Sequence, residues 1–192
     1  MRICVYCSSS EAVDGAFLAA ARSIGQEIGL RGHELVYGGA SVGLMGEVAR
    51  AAKGAGAQVT GIIPKRFAER DLVFRDADKT IITDTMAERK ALLIERADAF
   101  IALPGGFGTL EELSELLTCM QLGDVQAALV LLNTRGFYEP LIALFEQFYA
   151  LSFARTAYRA LYHLVPHARE ALAYIEAFRA VPLPDKWFPA RD

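Results

Sequence analysis

The sequence predicts an α/β protein of the doubly wound kind: a parallel sheet with helices on both faces, in three α/β/α layers. Three observations carry this expectation. Short apolar segments alternate with longer ones whose apolar residues recur at helical spacing, from the first residues to about 178. The short segments are nearly continuous apolar runs, the pattern of strands buried on both faces. Small and hydroxylated residues follow several of these runs, at the edge where such sheets bind ligands.

Residues 2–6 read as the first strand. Residues 15–30 follow as a helix, with Phe17, Leu18, Ala21, Ile24 and Ile28 at helical spacing and Gly32 as its stop. A strand over 34–37 leads into a helix over 43–55 that opens among glycines. The strand over 58–63 is stopped by Pro64, and residues 65–79, rich in charges of both signs, read as a loop or frayed helix. Strands over 79–83, 99–103 and 129–132 then alternate with helices over 86–96, 109–121 and 137–150. A short strand near 162–164 and a helix over 169–178 complete the pattern. This order makes residues 1–180 read as a single Rossmann-like domain. Residues 181–192 carry Pro182, Pro184 and Pro189 and read as an extended tail, pinned to a surface by Trp187 and Phe188.

A chain of 192 residues with 53% apolar and 22% charged residues buries a core without disulfides or metals. A net charge of −3 argues against a broad basic face for nucleic acid. The longest apolar run, Ala127 to Leu132, has six residues, far fewer than the roughly 20 of a membrane span. No extended apolar stretch follows Met1, so the reading expects no secretory signal and a cytoplasmic protein with reduced thiols. Cys4 and Cys7 form a C-x-x-C, but on a strand positions i and i+3 point to opposite faces, so both read as core residues. His163 and His167 flank Pro166, taken as the start of the last helix, and share no helical face. All three histidines read as surface or structural residues, and neither a metal nor an organic cofactor is expected.

Three stretches carry chemistry. The strongest is Pro104-Gly105-Gly106-Phe107-Gly108-Thr109-Leu110-Glu111-Glu112, where a buried strand runs through three glycines into a helix. Glycines allow close backbone approach to a ligand, and the unpaired N–H groups of a helix start suit a phosphate. Thr109 reads as the helix cap or a phosphate donor. The stretch is not the dinucleotide fingerprint, because Glu111 stands where the third glycine belongs, and no Gly-Lys-Ser/Thr makes it a P-loop. The second stretch, Gly38-Gly39-Ala40-Ser41-Val42-Gly43-Leu44-Met45-Gly46, makes the same strand-to-helix passage. The third, Met86-Ala87-Glu88-Arg89-Lys90, sets two cations near a helix start, where the dipole disfavours them.

Together these residues resemble the LOG family, the cytokinin riboside 5′-monophosphate phosphoribohydrolases once described as lysine decarboxylases. The family pattern P-G-G-x-G-T-x-x-E matches Pro104 to Glu112, V-G-L-M-G matches Val42 to Gly46, and the R-K pair matches Arg89 and Lys90. Two departures stand out. Ala40 replaces a frequent third glycine, and Ala87-Glu88 replaces a frequent His-x, which bears on contacts to the base. The resemblance implies hydrolysis of the N-glycosidic bond of a purine nucleoside 5′-monophosphate. It implies Glu112 and Arg89 as catalytic residues. Substrate contacts are expected from Ser8, Gly39, Gly43, Met45, Gly46, Asp71, Lys90, Gly105, Gly106, Phe107, Gly108, Thr109, Leu110 and Glu111. The alternative is a non-catalytic nucleotide- or molybdenum-cofactor-binding protein on the same fold. A decarboxylase needs a Schiff-base lysine, and none of Lys53, Lys65, Lys79, Lys90 and Lys186 lies in a recognisable pyridoxal context.

The resemblance also implies a homodimer with the pocket near its interface. The apolar residues Leu92, Leu93, Leu113, Leu116, Leu117 and Met120 read as more than one sheet face covers. No membrane or nucleic-acid partner is expected, only a small nucleotide.

Overall fold

A computed structural model describes residues 1–184 and 186. Seven strands form one sheet, each pairing parallel to its neighbours: β1 (Arg2–Tyr6), β2 (Glu34–Tyr37), β3 (Val59–Pro64), β4 (Lys79–Thr83), β5 (Ala99–Ala102), β6 (Ala128–Leu132) and β7 (His163–Val165). The helices are α1 (Gly15–Leu30), α2 (Gly43–Gly54), α3 (Lys65–Ala68), α4 (Met86–Glu95), α5 (Phe107–Leu122), α6 (Glu139–Ala150) and α7 (Ala168–Ala177). Every expected element is present. The segment after Pro64 begins with the short helix α3, and α7 starts two residues beyond Pro166. Trp187 and Phe188 lie outside the described residues.

The strand order is β4-β3-β2-β1-β5-β6-β7. The chain first winds outward from β1 through β2 and β3 to β4, then returns to β5 on the other side of β1. The direction of winding therefore reverses between β1 and β5, which leaves a crevice beyond their carboxyl ends. The three central strands β2, β1 and β5 are buried along almost their whole length. Alternation along β1 splits the core: Ile3, Val5 and Cys7 pack with α1, α2 and α7, while Cys4 and Tyr6 pack with α4 and α5. Cys4 and Cys7 thus face opposite sides, as strand geometry requires.

Small residues set the spacing of α1 and α2. A Cβ on Gly25 would meet Ala51 Cβ and Ala52 N at 2.8 Å and collide with the Val48 carbonyl. The two helix backbones touch there because nothing separates them. Four of the six apolar residues expected to exceed the cover of one sheet face, Leu93, Leu113, Leu116 and Met120, are buried within the chain. Leu92 and Leu117 are half-buried, so that argument for a partner fails: α4 and α5 also cover each other and the sheet.

Gly25→Ala should destabilise the protein by about 1–3 kcal/mol, because the added methyl has no room. Gly54→Ala, with nothing within 4 Å of the new Cβ, should stabilise it by about 0.4–1 kcal/mol. Urea unfolding of the two variants measures both signs.

Candidate active site

A cleft of about 340 Å³ lies at the crevice between β1 and β5, within the ~300–1,000 Å³ range of small-molecule sites. Its walls come from the segments that follow β1, β2, β3 and β5, and from α4. A second hollow, about 360 Å³, lies at the opposite end of the sheet, before β6, and among the described residues no acidic side chain lines it.

The floor of the cleft is an ion pair. Arg89 Nη1 donates to Glu112 Oε1 at 2.5 Å, and both side chains are only 6% exposed. Arg89 Nε donates to the Ile62 carbonyl of β3 at 3.0 Å, which fixes the guanidinium plane. Arg89 is held at the start of α4 by a variant of the capping box: Glu88 N–H donates to Oγ1 of the N-cap Thr85, and Asp84 N–H, one residue before the cap, donates to Glu88 Oε2. Glu88, at the variable position of the family pattern, therefore helps cap the helix that presents Arg89. A side chain at Gly38 would occupy the Arg89 guanidinium and press Met45. Burial pushes the Glu112 carboxyl above the ordinary glutamate value of 4.5, and the Arg89 charge opposes that shift.

Lys90 points elsewhere. Its ammonium pairs with Glu111 and, at 3.2 Å, with Glu115. On a helix, successive side chains are about 100° apart. Arg89 and Glu112 therefore meet in the floor while Lys90 and Glu111 meet outside it, and two adjacent ion pairs join α4 to α5.

Above the floor, two helix starts converge. The first residue of α5 is Phe107 and its N-cap is Gly106, which offers no side chain. Thr109 is therefore not the cap: the helix begins two residues earlier, and Thr109 is a buried first-turn residue lining the cleft. Gly105 makes room for it, since a Cβ there would collide with the Thr109 side chain. The N-cap of α2, Val42, also makes no side-chain capping bond, and Met45 N–H is taken by the Ser8 carbonyl at 3.2 Å. Ser8 and Ser9 line the cleft between these two starts.

The opposite wall is apolar: Met45, Ile63, Pro64, Phe67, Leu72 and Met86. Phe67 and Leu72 went unrecognised in the sequence because their segment is dominated by charges. Leu72 is clipped to the glycine loop, its carbonyl accepting from Ser41 N–H at 2.7 Å, beside the Ala40–Val73 bridge.

The structure thus brings Ser8, Met45, Arg89, Gly106, Gly108, Thr109 and Glu112 together in one cleft. Gly39, Gly43, Gly46 and Gly105 lie behind its lining, where they let neighbouring segments approach. Five expected contacts stand outside it. Asp71 is exposed and paired with Arg75. Phe107 is 92% exposed and Leu110 41%, both turned outward from α5. Lys90 and Glu111 form the outer ion pair already described.

This arrangement defines a doubly wound α/β protein with a cleft that presents helix starts over a buried carboxylate–guanidinium pair. The chain belongs to the LOG family: the family profile described as "Possible lysine decarboxylase" matches residues 45–175. Among similar proteins, the cytokinin riboside 5′-monophosphate phosphoribohydrolase LOG of Oryza sativa subsp. japonica is 41% identical over 92% of this chain and 73% of its own length. The enzyme of the same name, LOG4, from Arabidopsis thaliana is 40% identical over 92% of this chain and 82% of its own. The molybdenum cofactor carrier protein of Chlamydomonas reinhardtii shares the fold, with a TM-score of 0.72 and 23% identity over 91% of this chain and 95% of that one. The molybdenum cofactor binding protein of Rippkaea orientalis does so with a TM-score of 0.69 and 24% identity, over 92% and 95%.

The folded protein holds the Glu112 proton more tightly than the unfolded chain does. This group's contribution to stability therefore falls as pH rises from 4.5 through its raised folded value. Carbon-13 NMR titration should place the Glu112 midpoint above 4.5, and Arg89→Met, which removes the opposing charge, should move it higher. A wild-type midpoint below 4.5 would contradict the burial argument.

Proposed function

We propose that this chain hydrolyses the N-glycosidic bond of purine nucleoside 5′-monophosphates, with adenine or N6-substituted adenine as base, releasing the free base and ribose 5-phosphate. The observation that carries the reading is the buried Arg89–Glu112 pair beneath the uncapped start of α5. The relatives named above, which act on riboside 5′-monophosphates by name, support it across nine-tenths of the chain.

The residues divide the work along the cleft. Backbone N–H groups of the 106–109 turn, with Thr109 and Ser8, hold the 5′-phosphate. The apolar wall of Ile63, Pro64, Phe67, Leu72 and Met86 takes the base. The ribose then lies over Glu112. As the bond between C1′ and the base nitrogen breaks, its electron pair leaves with the base and positive charge grows on C1′ and the ring oxygen. The Glu112 carboxylate stabilises that charge and accepts the proton of the water that attacks C1′. The base nitrogen recovers a proton, so atoms and charge balance. Arg89 keeps Glu112 ionised and in place, and its free donors reach the ribose or the departing base.

A lysine decarboxylase does not fit this cleft. Such an enzyme holds pyridoxal phosphate on a lysine, and among the described residues no lysine lines the cleft. A carrier without catalysis leaves a costly buried carboxylate without a task. We place the reaction in the cytoplasm with a small nucleotide as its partner, neither nucleic acid nor membrane being required. No helix among the described residues is long and apolar enough to cross a membrane.

The proposal includes a homodimer. The outer face of α5 carries Phe107, Leu110 and Leu117 from the mouth of the cleft toward an apolar groove shared with Phe145 and Phe148 of α6. Leu144, Leu151 and Phe153 extend the exposed apolar surface beside it. A second copy on this face would cover it and border the cleft.

Glu112→Gln keeps the size and an acceptor for Arg89 but removes the charge. Hydrolysis of AMP should fall by about 100-fold or more, the scale of one lost electrostatic stabiliser. AMP binding should persist, because the 106–109 turn is untouched. Turnover near wild type in a folded Glu112→Gln protein would remove the catalytic assignment. Light scattering at micromolar concentration should give twice the chain mass of 20.9 kDa, and a single-chain mass would exclude the dimer.

A further inference from the structure

Tyr138 lies 4% exposed at the start of α6, behind the cleft rather than in it. Its hydroxyl donates to the Leu103 carbonyl at 2.7 Å. Leu103 is one residue beyond the last ladder pairs of β5, Tyr6–Ala102 and Ala102–Leu131, and two before Gly105. It is fully buried, and Pro104 after it has no N–H. Its carbonyl thus leaves the sheet with no strand partner, at the point where the chain turns into the 106–109 loop.

Tyr138 is itself held. Asn133 Oδ1 accepts from the Tyr138 backbone N–H at 2.8 Å, and the Phe137 ring packs edge-on against Tyr138 at 5.1 Å. The same turn reaches the segment after β1. Arg135 pairs with Asp14, the cap of α1, at 2.9 Å, and Phe137 meets Phe17 at 6.0 Å. The 133–138 turn therefore ties the end of β5 to the start of α1, on either side of the cleft.

We propose that Tyr138 is a positioning residue for phosphate recognition. Its hydroxyl fixes the Leu103 carbonyl and thereby the direction in which Pro104 and Gly105 deliver the helix start. The inference rests on the reading of the 106–109 turn as the phosphate site. Without the hydroxyl, the Leu103 carbonyl is buried and unpaired, and the peptide before Pro104 rotates to find a donor. The N–H groups then meet the phosphate at poorer angles, while the base wall and Glu112 are unchanged.

Tyr138→Phe removes only the hydroxyl. Calorimetry should show ribose 5-phosphate binding weakened about ten-fold, the scale of one net hydrogen bond. AMP should lose a similar factor in kcat/KM while the slower cleavage of adenosine, which has no phosphate, stays unchanged. Tyr158→Phe is the control, because its hydroxyl also donates to a backbone carbonyl, that of Pro184 at 3.1 Å, and neither residue lines the cleft. It should lower the melting temperature and leave Kd alone. An unchanged Kd in Tyr138→Phe, or equal losses for AMP and adenosine, would overturn the proposal. A wild-type protein that binds ribose 5-phosphate but cleaves neither substrate would overturn the reaction instead, and the Kd comparison would still decide Tyr138. A wild-type protein that does not bind ribose 5-phosphate would overturn both.

Discussion

A carboxylate and a guanidinium buried together constrain everything around them. Removing one partner of such a pair costs about 3–5 kcal/mol, because the other charge is left without water or a counter-ion. The fold therefore has to deliver Arg89 and Glu112 from two helices to one point and keep them there. The Ile62 carbonyl aligns the guanidinium, the missing side chain at Gly38 makes room for it, and the Thr85–Glu88 box fixes the turn that carries it. The outer pairs from Lys90 to Glu111 and Glu115 lock the same two helices one step away. A hydrophobic pair of the same shape would pack there at less cost. The charges are retained where a substrate can reach them.

The sheet supplies the location. Winding reverses between β1 and β5, so the loops that follow these strands diverge and cannot fill the space between them. Helix starts border that space, and neither α2 nor α5 caps its own first turn with a side chain. Unsatisfied N–H groups and the positive ends of two dipoles then favour an anion. The ion pair below supplies a carboxylate within reach of whatever the anion anchors. Binding energy spent on the phosphate can thus orient a bond several atoms away.

Much of this was legible in the sequence, for identifiable reasons. The parallel sheet followed from runs such as Ala128–Leu132, which are apolar on both faces because both are covered. The 104–112 stretch announced a ligand because three glycines in four residues exceed what a turn needs. What escaped was direction. Adjacent residues on a helix face different ways, so Lys90 and Glu111, read as substrate contacts, instead pair with each other outside the cleft. Thr109 read as a cap because helix starts are judged by side-chain chemistry, while Gly106 caps with none. Phe67 and Leu72 were hidden in a charged segment whose clip to the glycine loop is a backbone hydrogen bond. Backbone bonds of that kind leave no trace in side-chain identity.

The central claim is that the cleft above Arg89 and Glu112 breaks a glycosidic bond rather than merely holding a nucleotide. Incubating the wild-type protein with AMP and separating the products by chromatography tests it most directly. The account predicts free adenine and ribose 5-phosphate in equal amounts, at a rate proportional to protein concentration. AMP recovered intact from a protein that binds it would contradict the account and make the cleft a binding site alone.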